Sequence, residues 1–373
     1  MKKITWFGVA QSPYNDFLLT EVSKKFDLQV FYKVKKKGTH PWQLKPVAYP
    51  FRYLGGNFYR AYKRAMSSDV IVVSGWSYWQ HILLMLTPMK QTKKIYWTDT
   101  PCLDRREWVG IKGGIRRLLV KLCFTTFNEV WSTGKPGCRA LEQLGCRKDK
   151  IRSFPFFLDL SRYNSIGAET KEKAQEFRAK NTNNNTETVF LCMGQVATKK
   201  RFDDAIRAFS NLRKSNAVLW IAGTGPQEEQ LKELTIELGI VNQVFFLGWL
   251  QQAEVELAYI TADVFVHPAS FDPFPTVVLD AMTWGKPVIG TNVSGSVEDR
   301  VVPGLNGYIY AEGNVEALTQ HMRFFISNKD EIQNYGREAR KTACDYPVDL
   351  AIRKFESLTG TTTTFSRAKA ATV

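Results

Sequence analysis

Two aspartates eight residues apart, Asp272 and Asp280, flank the start of an apolar helix that we predict over Val277–Trp284. The rise of an α-helix spaces them by about 12 Å, which is similar to the span from the hexose to the ribose of a nucleotide sugar. The free N–H groups and positive dipole of the helix start lie between them and favour a diphosphate. Carboxylates accept hydrogen bonds from sugar hydroxyls. The spacing therefore indicates a nucleotide-sugar site, although capping by Asp272 and a solvated Asp280 explain it equally well.

Five motifs occur in order along the C-terminal half. They are Gly194-Gln195 with Lys200 and Arg201; Gly223-Thr224-Gly225-Pro226; Phe246-Leu247-Gly248-Trp249; Asp272 and Asp280 with Gly285; and Ser294-Gly295 with Pro303-Gly304-Leu305-Asn306-Gly307. In this order they resemble the motifs of the retaining glycosyltransferases of family 4, which have the GT-B fold. The resemblance covers residues 190–325 well, and residues 1–160 only in the rhythm of strands and helices.

The resemblance implies a role for each motif. Lys200 would neutralise the diphosphate as the leaving group departs, and Gly194 would let the backbone approach the phosphates. Asp272 would hold the donor hexose and Asp280 the ribose hydroxyls. The nucleotide-sugar site predicted in this way comprises Gly194, Gln195, Lys200, Arg201, Gly223, Gly225, Gly248, Trp249, Asp272, Phe274, Thr276 and Asp280.

The implied reaction is the transfer of a hexose, with retention, from a UDP sugar rather than a GDP sugar to a hydroxyl of a glycan or lipid-linked acceptor. In the family's usual account a diphosphate oxygen takes the acceptor proton, so no general base or nucleophile is assigned. Positioning and charge stabilisation would supply the catalysis. We expect no cofactor and no metal. His267 lies on an apolar strand, and we interpret it as a hydrogen-bonded core residue.

The chain departs from the family pattern at several positions. Asp272 and Asp280 replace glutamates, which shortens each side chain by one methylene. Gln195 stands where the family has an arginine, and Arg201 stands where it often has glycine and could substitute for that cation. Pro275 has no N–H to donate. A GT-B scaffold that binds a nucleotide without catalysis therefore remains an alternative.

The N-terminal half contributes residues that follow two predicted strands, and in a parallel sheet such residues face the crevice. Asp99 follows one of these strands and is a third candidate catalytic residue beside Lys200 and Asp272, although turn capping explains it equally well. The predicted acceptor or cleft residues are Gly8, Ser74, Gly75, Trp76 and Asp99.

Positive charge is concentrated in the first half of the chain. Residues 1–160 carry 28 Lys and Arg against 11 Asp and Glu, whereas the remainder carries 23 against 25. A stripe of apolar residues recurs at helical spacing among arginines and lysines: Trp108, Ile111, Ile115, Leu118 and Leu122. This pattern predicts docking on an anionic membrane. The alternative is that this stripe packs on the core. Binding of nucleic acid is a further alternative, but no nucleic-acid module is recognisable, so we do not expect it.

Alternating strands and helices indicate α/β layering, here two doubly wound Rossmann-like domains facing across a cleft. We predict a basic, acceptor-side domain over 1–158 and a nucleotide-sugar domain over 159–340. A helix over 341–358 would cross back to the first domain, and 359–373 would be a disordered tail. No apolar run reaches the length of about 20 residues that a membrane span needs. We interpret the N-terminal apolar run as a first strand, and expect a cytoplasmic protein that is peripheral to the inner face of the membrane.

Overall fold

The computed structural model describes residues 1–34, 46–75, 79–99, 110–163, 166–184 and 187–360, without the side chains of Lys112 and Arg162. The described residues form two parallel sheets, each with helices on both faces. Apolar, β-branched runs such as Val70–Ser74 form strands that are buried on both sides, as parallel strands between two helical layers require.

The N-terminal sheet has seven strands in the order β3-β2-β1-β4-β5-β6-β7. The strands are β1 (Lys3–Gly8), β2 (Asp27–Tyr32), β3 (Phe51–Tyr53), β4 (Val70–Ser74), β5 (Lys93–Thr98), β6 (Glu129–Ser132) and β7 (Ile151–Ser153). The helices of this domain are α1 (Pro13–Lys25), α2 (Phe58–Met66), α3 (Trp79–Leu86), α4 (Gly110–Thr126) and α5 (Gly134–Gln143). Helices α2 to α5 pack on one face of the sheet and α1 on the other. The strand order reverses between β1 and β4, which places a crevice at their carboxyl ends.

The C-terminal sheet has six strands in the order β10-β9-β8-β11-β12-β13. The strands are β8 (Thr188–Met193), β9 (Ala217–Ala222), β10 (Val244–Gly248), β11 (Val264–His267), β12 (Val288–Thr291) and β13 (Gly307–Tyr310). The helices that follow in the chain are α6 (Ala168–Lys180), α7 (Phe202–Ser210), α8 (Glu228–Glu237), α9 (Gln252–Thr261), α10 (Thr276–Thr283), α11 (Gly295–Arg300), α12 (Val315–Ser327), α13 (Lys329–Cys344) and α14 (Asp349–Thr359). Here the order reverses between β8 and β11, so the second crevice lies at the ends of these strands.

The end of the described chain returns to the N-terminal domain. The Phe355 ring is fully buried and lies 5.5 Å from the Trp131 ring, and Lys354 Nζ pairs with Glu129 Oε1 at 2.9 Å. The single helix predicted over 341–358 is wrong in its bounds. That segment holds the end of α13 and most of α14, because Pro347 lies in the break between them and cannot continue a helix.

The two domains also meet directly through α5 and α11. The backbone N–H of Lys135 donates to Asp299 Oδ1 at 2.8 Å, and Arg139 forms an ion pair with Glu298. Gly134 has a φ of +77°, and a Cβ there would lie 2.6 Å from the Phe274 ring. The N-terminal domain therefore approaches the loop that precedes α10.

Candidate functional site

A lysine and an aspartate meet at the crevice of the C-terminal sheet. Lys200 ends a short 3-10 turn after β8, and Asp272 lies in the loop after β11. Their strands are neighbours, so the two loops leave the sheet side by side. Lys200 Nζ forms an ion pair with Asp272 Oδ2, and the two side chains are only 12% and 15% exposed. The structure thus brings together two residues that lie 72 positions apart.

A buried histidine completes this cluster. His267, the last residue of β11, is 1% exposed, and its Nε2 lies 3.5 Å from Asp272 Oδ2. Burial lowers the pKa of His267 despite the nearby carboxylate. Burial acts to raise the pKa of Asp272, but His267 and the positive charge of Lys200 together hold that pKa well below its usual range. Asp272 is therefore a carboxylate at neutral pH, and His267 faces the cluster as well as the core.

The glycines after β8 and β9 allow two loops to touch through their backbones. Gly194 has a φ of +145° and Gly223 a φ of +133°. A Cβ on Gly223 would overlap the Gly194 carbonyl oxygen, and one on Gly225 would overlap that of Val196. A Cβ on Gly194 would lie 3.8 Å from Lys200 Nζ. Bare backbone therefore lines the site next to the Lys200 ammonium.

The carboxyl ends of β8, β9 and β10 lie side by side along the same edge of the C-terminal sheet. The N–H of Gly194 donates to Ala222 O at 2.9 Å, and the N–H of Gly223 donates to Gly248 O at 2.7 Å. Gly248 has a φ of +66° and is followed by the half-buried Trp249. The predicted site residues Gly194, Gly223 and Gly248 thus lie at the ends of the adjacent strands β8, β9 and β10.

The start of α11 supports the loop that carries Asp272. The N–H of Gly295 donates to Asp272 O at 2.9 Å, and Ser296 Oγ donates to Pro275 O at 3.0 Å. A Cβ on Gly295 would overlap the Pro273 carbonyl oxygen, so the close approach requires glycine. This loop runs directly into α10, whose first-turn N–H groups have no acceptor within the helix.

Asp280, in the second half of α10, is bound by a residue that precedes the C-terminal sheet. The Tyr163 hydroxyl donates to Asp280 Oδ1 at 3.0 Å. Tyr14 of α1 also reaches this helix, where its hydroxyl contacts the Thr276 side chain. Burial raises the pKa of Tyr14 to about 12, and the charges of Asp280 and Asp272 add to the rise. The N-terminal domain thus contributes a tyrosine that is influenced by the charges of both aspartates.

Neither Tyr14 nor Tyr163 is among the predicted site residues. Tyr163 ends the segment Pro155–Tyr163, which is rich in aromatic residues and contains a proline. This composition indicates a boundary between domains, but it does not indicate a binding role. Tyr14 contacts residues more than 250 positions away, and no local pattern indicates such a contact.

Arg201 is committed elsewhere. Its Nε lies 3.3 Å from Asp203 Oδ1 and its Nη2 lies 2.6 Å from Asp204 Oδ1. Its φ of +50° makes it the only non-glycine residue with a positive φ in the part of the chain that the structure describes. The left-handed backbone explains why glycine suits this position in the family that the sequence resembles. The two ion pairs hold the Arg201 guanidinium at the start of α7. This position does not support the idea that Arg201 replaces the arginine for which Gln195 stands.

The predicted N-terminal residues lie at the ends of their strands. Gly8 ends β1, Ser74 ends β4 and Gly75 follows it, so all three lie at the switch point of the first sheet. Asp99 follows β5, one strand further along, and is exposed. Trp76 lies outside the described residues.

Two other functions, metal binding and membrane crossing, find no support in the described residues. Within 1–34, 46–75, 79–99, 110–163, 166–184 and 187–360, no three His, Cys, Asp or Glu side chains are grouped as a metal site would need. None of the helices in those ranges combines the length and the apolar character that crossing a bilayer demands.

Comparison with known proteins adds a family to this geometry. Residues 173–342 match the family model described as "Glycosyl transferases group 1". An uncharacterized glycosyltransferase of Haemophilus influenzae is 26% identical over 170 residues, which cover 45% of this chain and 48% of that protein. The lipopolysaccharide 1,6-galactosyltransferase of Salmonella typhimurium is 29% identical over 145 residues, 38% of each chain. The matched segment spans less than half the length of these curated relatives.

Solved structures resemble the whole chain. HepE of Anabaena, solved in complex with UDP, aligns with a TM-score of 0.77 and 16% identity over 97% of this chain and 100% of that one. The apo form of the lipopolysaccharide outer core galactosyltransferase WaaB aligns with a TM-score of 0.69 and 18% identity over 95% and 98% of the two chains. The predicted GT-B fold, with two parallel-sheet α/β domains, is confirmed. The sequence of residues 173–342 is similar to that of the group 1 glycosyltransferases.

Proposed function

We propose that this protein is a retaining glycosyltransferase that transfers a hexose from a UDP sugar to a hydroxyl of a glycan or lipid-linked acceptor. The observation that carries the proposal is the Lys200–Asp272 pair, which lies at the switch point of the group 1 domain beside the start of α10. The Anabaena protein of the same fold is described in complex with UDP and with UDP-glucose. A relative is described as a lipopolysaccharide galactosyltransferase, which supports a glycan or lipid-linked acceptor.

Donor binding would separate Lys200 from Asp272, and each residue would then contact a different part of the substrate. The diphosphate would take the Lys200 ammonium, while the freed Asp272 carboxylate would accept hydrogen bonds from hexose hydroxyls. Before the donor binds, the pKa of Asp272 lies below its usual range, so the side chain meets the donor as a carboxylate at neutral pH. Asp280 would hold the ribose. The short loops that touch through Gly194 and Gly223 would leave room for the phosphates.

The transfer step needs charge stabilisation on the leaving side. As the bond between the anomeric carbon and the diphosphate breaks, negative charge grows on the diphosphate, next to the Lys200 ammonium and the positive end of α10. A diphosphate oxygen would then take the proton of the attacking hydroxyl on the same face of the sugar. In this account the chain contributes no proton acceptor and no metal takes part, so added chelator should leave the rate unchanged.

A scaffold that binds UDP without transfer is the second candidate. It is favoured by Gln195, which carries no charge, and by the two ion pairs that hold Arg201 at α7. A thermal-shift screen of UDP, GDP and their sugars, followed by turnover with each stabilising sugar, separates the two candidates. We expect stabilisation by UDP and UDP-hexoses with slow hydrolysis or transfer. Stabilisation without any turnover would favour the scaffold, and no stabilisation by any nucleotide would contradict both.

The N-terminal domain carries an exposed apolar surface, which we name the α2–α4 surface. Its helices present buried residues such as Ala61, Leu84 and Val120 to the sheet. Helix α3 packs against α4, and the Phe58 and Trp79 rings lie 5.2 Å apart, which joins α2 to α3. The exposed side of this layer bears Tyr59, Trp79, Leu83, Ile111, Ile115, Leu118, Leu119 and Leu122.

The predicted apolar stripe of α4 is exposed at Ile111, Ile115, Leu118 and Leu122, and Trp108 lies outside the described residues. Ile111 is 86% exposed and Leu118 69% exposed, so the alternative that the stripe packs on the core is wrong. Val120, Cys123 and Phe124 pack on the core instead, so α4 has two apolar faces. Helices α2, α3 and α4 contain seven Lys and Arg residues and no Asp or Glu.

We propose that the α2–α4 surface docks on the anionic inner leaflet of a membrane. Apolar side chains on helices whose charged residues are all Lys or Arg match the chemistry of a bilayer whose interior is apolar and whose headgroups are negative. Docking there would bring the N-terminal domain, which faces the acceptor in this account, to lipid-linked substrates.

A further inference from the structure

The carboxylate of Asp280 is held by one well-placed hydroxyl. The Tyr163 hydroxyl donates to Asp280 Oδ1 at 3.0 Å. A hydrogen bond to an ionised acceptor is stronger than a neutral one and favours the geometry that keeps it. Asp280 is one methylene shorter than the glutamate of the family that the sequence resembles, so its direction matters more for what it can reach.

Tyr163 is itself fixed from three sides. It is 5% exposed, and its ring packs edge-on against Trp284 with centroids 4.6 Å apart. Its carbonyl oxygen accepts from Arg340 Nη2 at 2.7 Å. Because Trp284 follows Asp280 by one turn of α10, the tyrosine lies along the helix face that carries the carboxylate. These contacts leave the hydroxyl little freedom of its own.

Tyr163 lies in the crossover between the two domains. It ends the turn Leu160–Tyr163, directly after the segment that leaves the N-terminal sheet at β7. The same segment contacts the site loop, since the Phe156 and Phe274 rings lie 6.2 Å apart. Phe156 also lies 6.3 Å from the Tyr14 ring of α1. The crossover between the domains is thus in contact with both ends of the Asp272–Asp280 segment.

We infer that Tyr163 is a positioning residue for nucleotide recognition, which holds the Asp280 carboxylate toward the ribose from the interdomain crossover. This inference rests on the proposed function, because it requires a nucleoside diphosphate in the site. Loss of the hydroxyl would weaken binding only for ligands whose ribose hydroxyls contact Asp280.

The test compares UDP with 2′,3′-dideoxyuridine diphosphate by calorimetry, using the full chain and the variant Tyr163→Phe. We expect the variant to bind UDP about tenfold more weakly and the dideoxy analogue as well as the wild type does. Tyr308→Phe is the matched control, because it removes a hydroxyl that pairs at 2.8 Å with the Tyr335 hydroxyl in the same domain. That control should bind both ligands like the wild type.

The double variant Tyr163→Phe with Asp280→Asn completes the cycle. It should bind UDP no more weakly than Asp280→Asn alone, because the hydroxyl acts through the carboxylate. Equal losses for UDP and the dideoxy analogue would assign Tyr163 a merely structural role and overturn the inference, as would unchanged UDP binding. Failure of the wild type to bind UDP would instead contradict the proposed function.

Discussion

Asp272 is the residue on which the electrostatics of the site depend. It faces Lys200 and His267 in a largely buried cluster, and removal of one member leaves the other charge without its partner. A buried positive charge that has lost its counterion is strongly unfavourable. The pair therefore links stability to the proposed donor site.

The pH dependence of this residue can be predicted with its sign. The pKa of Asp272 is lower in the folded protein than in the unfolded chain, so its contribution to the free energy of unfolding is complete above its ordinary pKa. The contribution is lost as the pH falls through the folded pKa. Asp272→Asn should lower the free energy of unfolding at pH 7 by about 3 kcal/mol. The difference from wild type should narrow by about 1 kcal/mol at pH 3.

Urea unfolding at the two pH values measures this effect. Other carboxylates titrate equally in both proteins, so the difference between the variant and the wild type isolates Asp272. A difference that is the same at pH 7 and pH 3 would show that the carboxylate titrates normally and that the cluster does not hold it ionised.

At the scale of the elements, the two crevices follow from strand order. Parallel sheets whose order reverses beside β1 and beside β8 must expose loops at those points. In the second sheet, the loops after β8 and β9 contain glycines at which the two backbones are in contact. This contact fixes the position of the loop that carries Lys200.

Gly223→Ala tests whether that close approach is required. The added Cβ would overlap the Gly194 carbonyl oxygen, so we expect the free energy of unfolding to fall by about 2–4 kcal/mol and the affinity for UDP to fall with it. The control is Gly114→Ala in α4, where a Cβ would meet nothing within 4 Å, and which should be neutral or stabilising by up to about 1 kcal/mol. Equal stability of both variants would mean that the loops can separate without consequence.

Much of this arrangement could be predicted from local patterns. Period and composition predict strands over Val70–Val73, Thr188–Met193 and Val218–Ala222 and a helix over Val315–Ser327. The observed β4, β8, β9 and α12 have these bounds within one residue. Helix α5 was missed because Gly134, Pro136 and Gly137 obscure its period, although burial against α11 stabilises it. For α4 the sequence predicts an exposed stripe but leaves its packing on the core as an alternative, because both sides of the helix are apolar and only the sheet decides which one is covered.

The site was predictable where motifs carry it and unpredictable where distant contacts do. Lys200 and Asp272 were assigned from a resemblance, and the order of β8 and β11 in the sheet supplies the physical reason that they meet. The ion pairs of Arg201 and the contact of Tyr163 depend on side-chain directions that no spacing in the sequence fixes.

At the scale of the whole molecule, the excess of positive charge and the α2–α4 surface belong to the N-terminal domain, and the proposed donor site belongs to the C-terminal domain. This division suits an enzyme that meets a membrane with its N-terminal domain and a soluble nucleotide sugar with its C-terminal domain. Arg116→Glu with Arg117→Glu should reduce sedimentation with phosphatidylglycerol vesicles severalfold, because each reversal removes an attraction of about 1 kcal/mol and adds a repulsion.

The control for this experiment is Arg213→Glu with Lys214→Glu, which makes the same charge change on an exposed loop of the C-terminal domain. It should sediment like the wild type. Ile111→Ser, at the most exposed apolar position of α4, should also reduce sedimentation, and at high salt it should remain weaker than the wild type. Equal sedimentation of all four proteins would contradict docking through the α2–α4 surface, and equal loss in both charge variants would indicate a response to net charge alone.

The central claim is that the Lys200 ammonium serves the diphosphate of an activated sugar. Transfer from the UDP sugar identified by the thermal-shift screen is measured for the wild type, for Lys200→Ala and for Lys199→Ala, whose lysine is the exposed neighbour in the same turn. The account predicts that kcat/KM falls by about 100-fold or more in Lys200→Ala and stays at the wild-type value in Lys199→Ala. Wild-type kinetics in Lys200→Ala would contradict it.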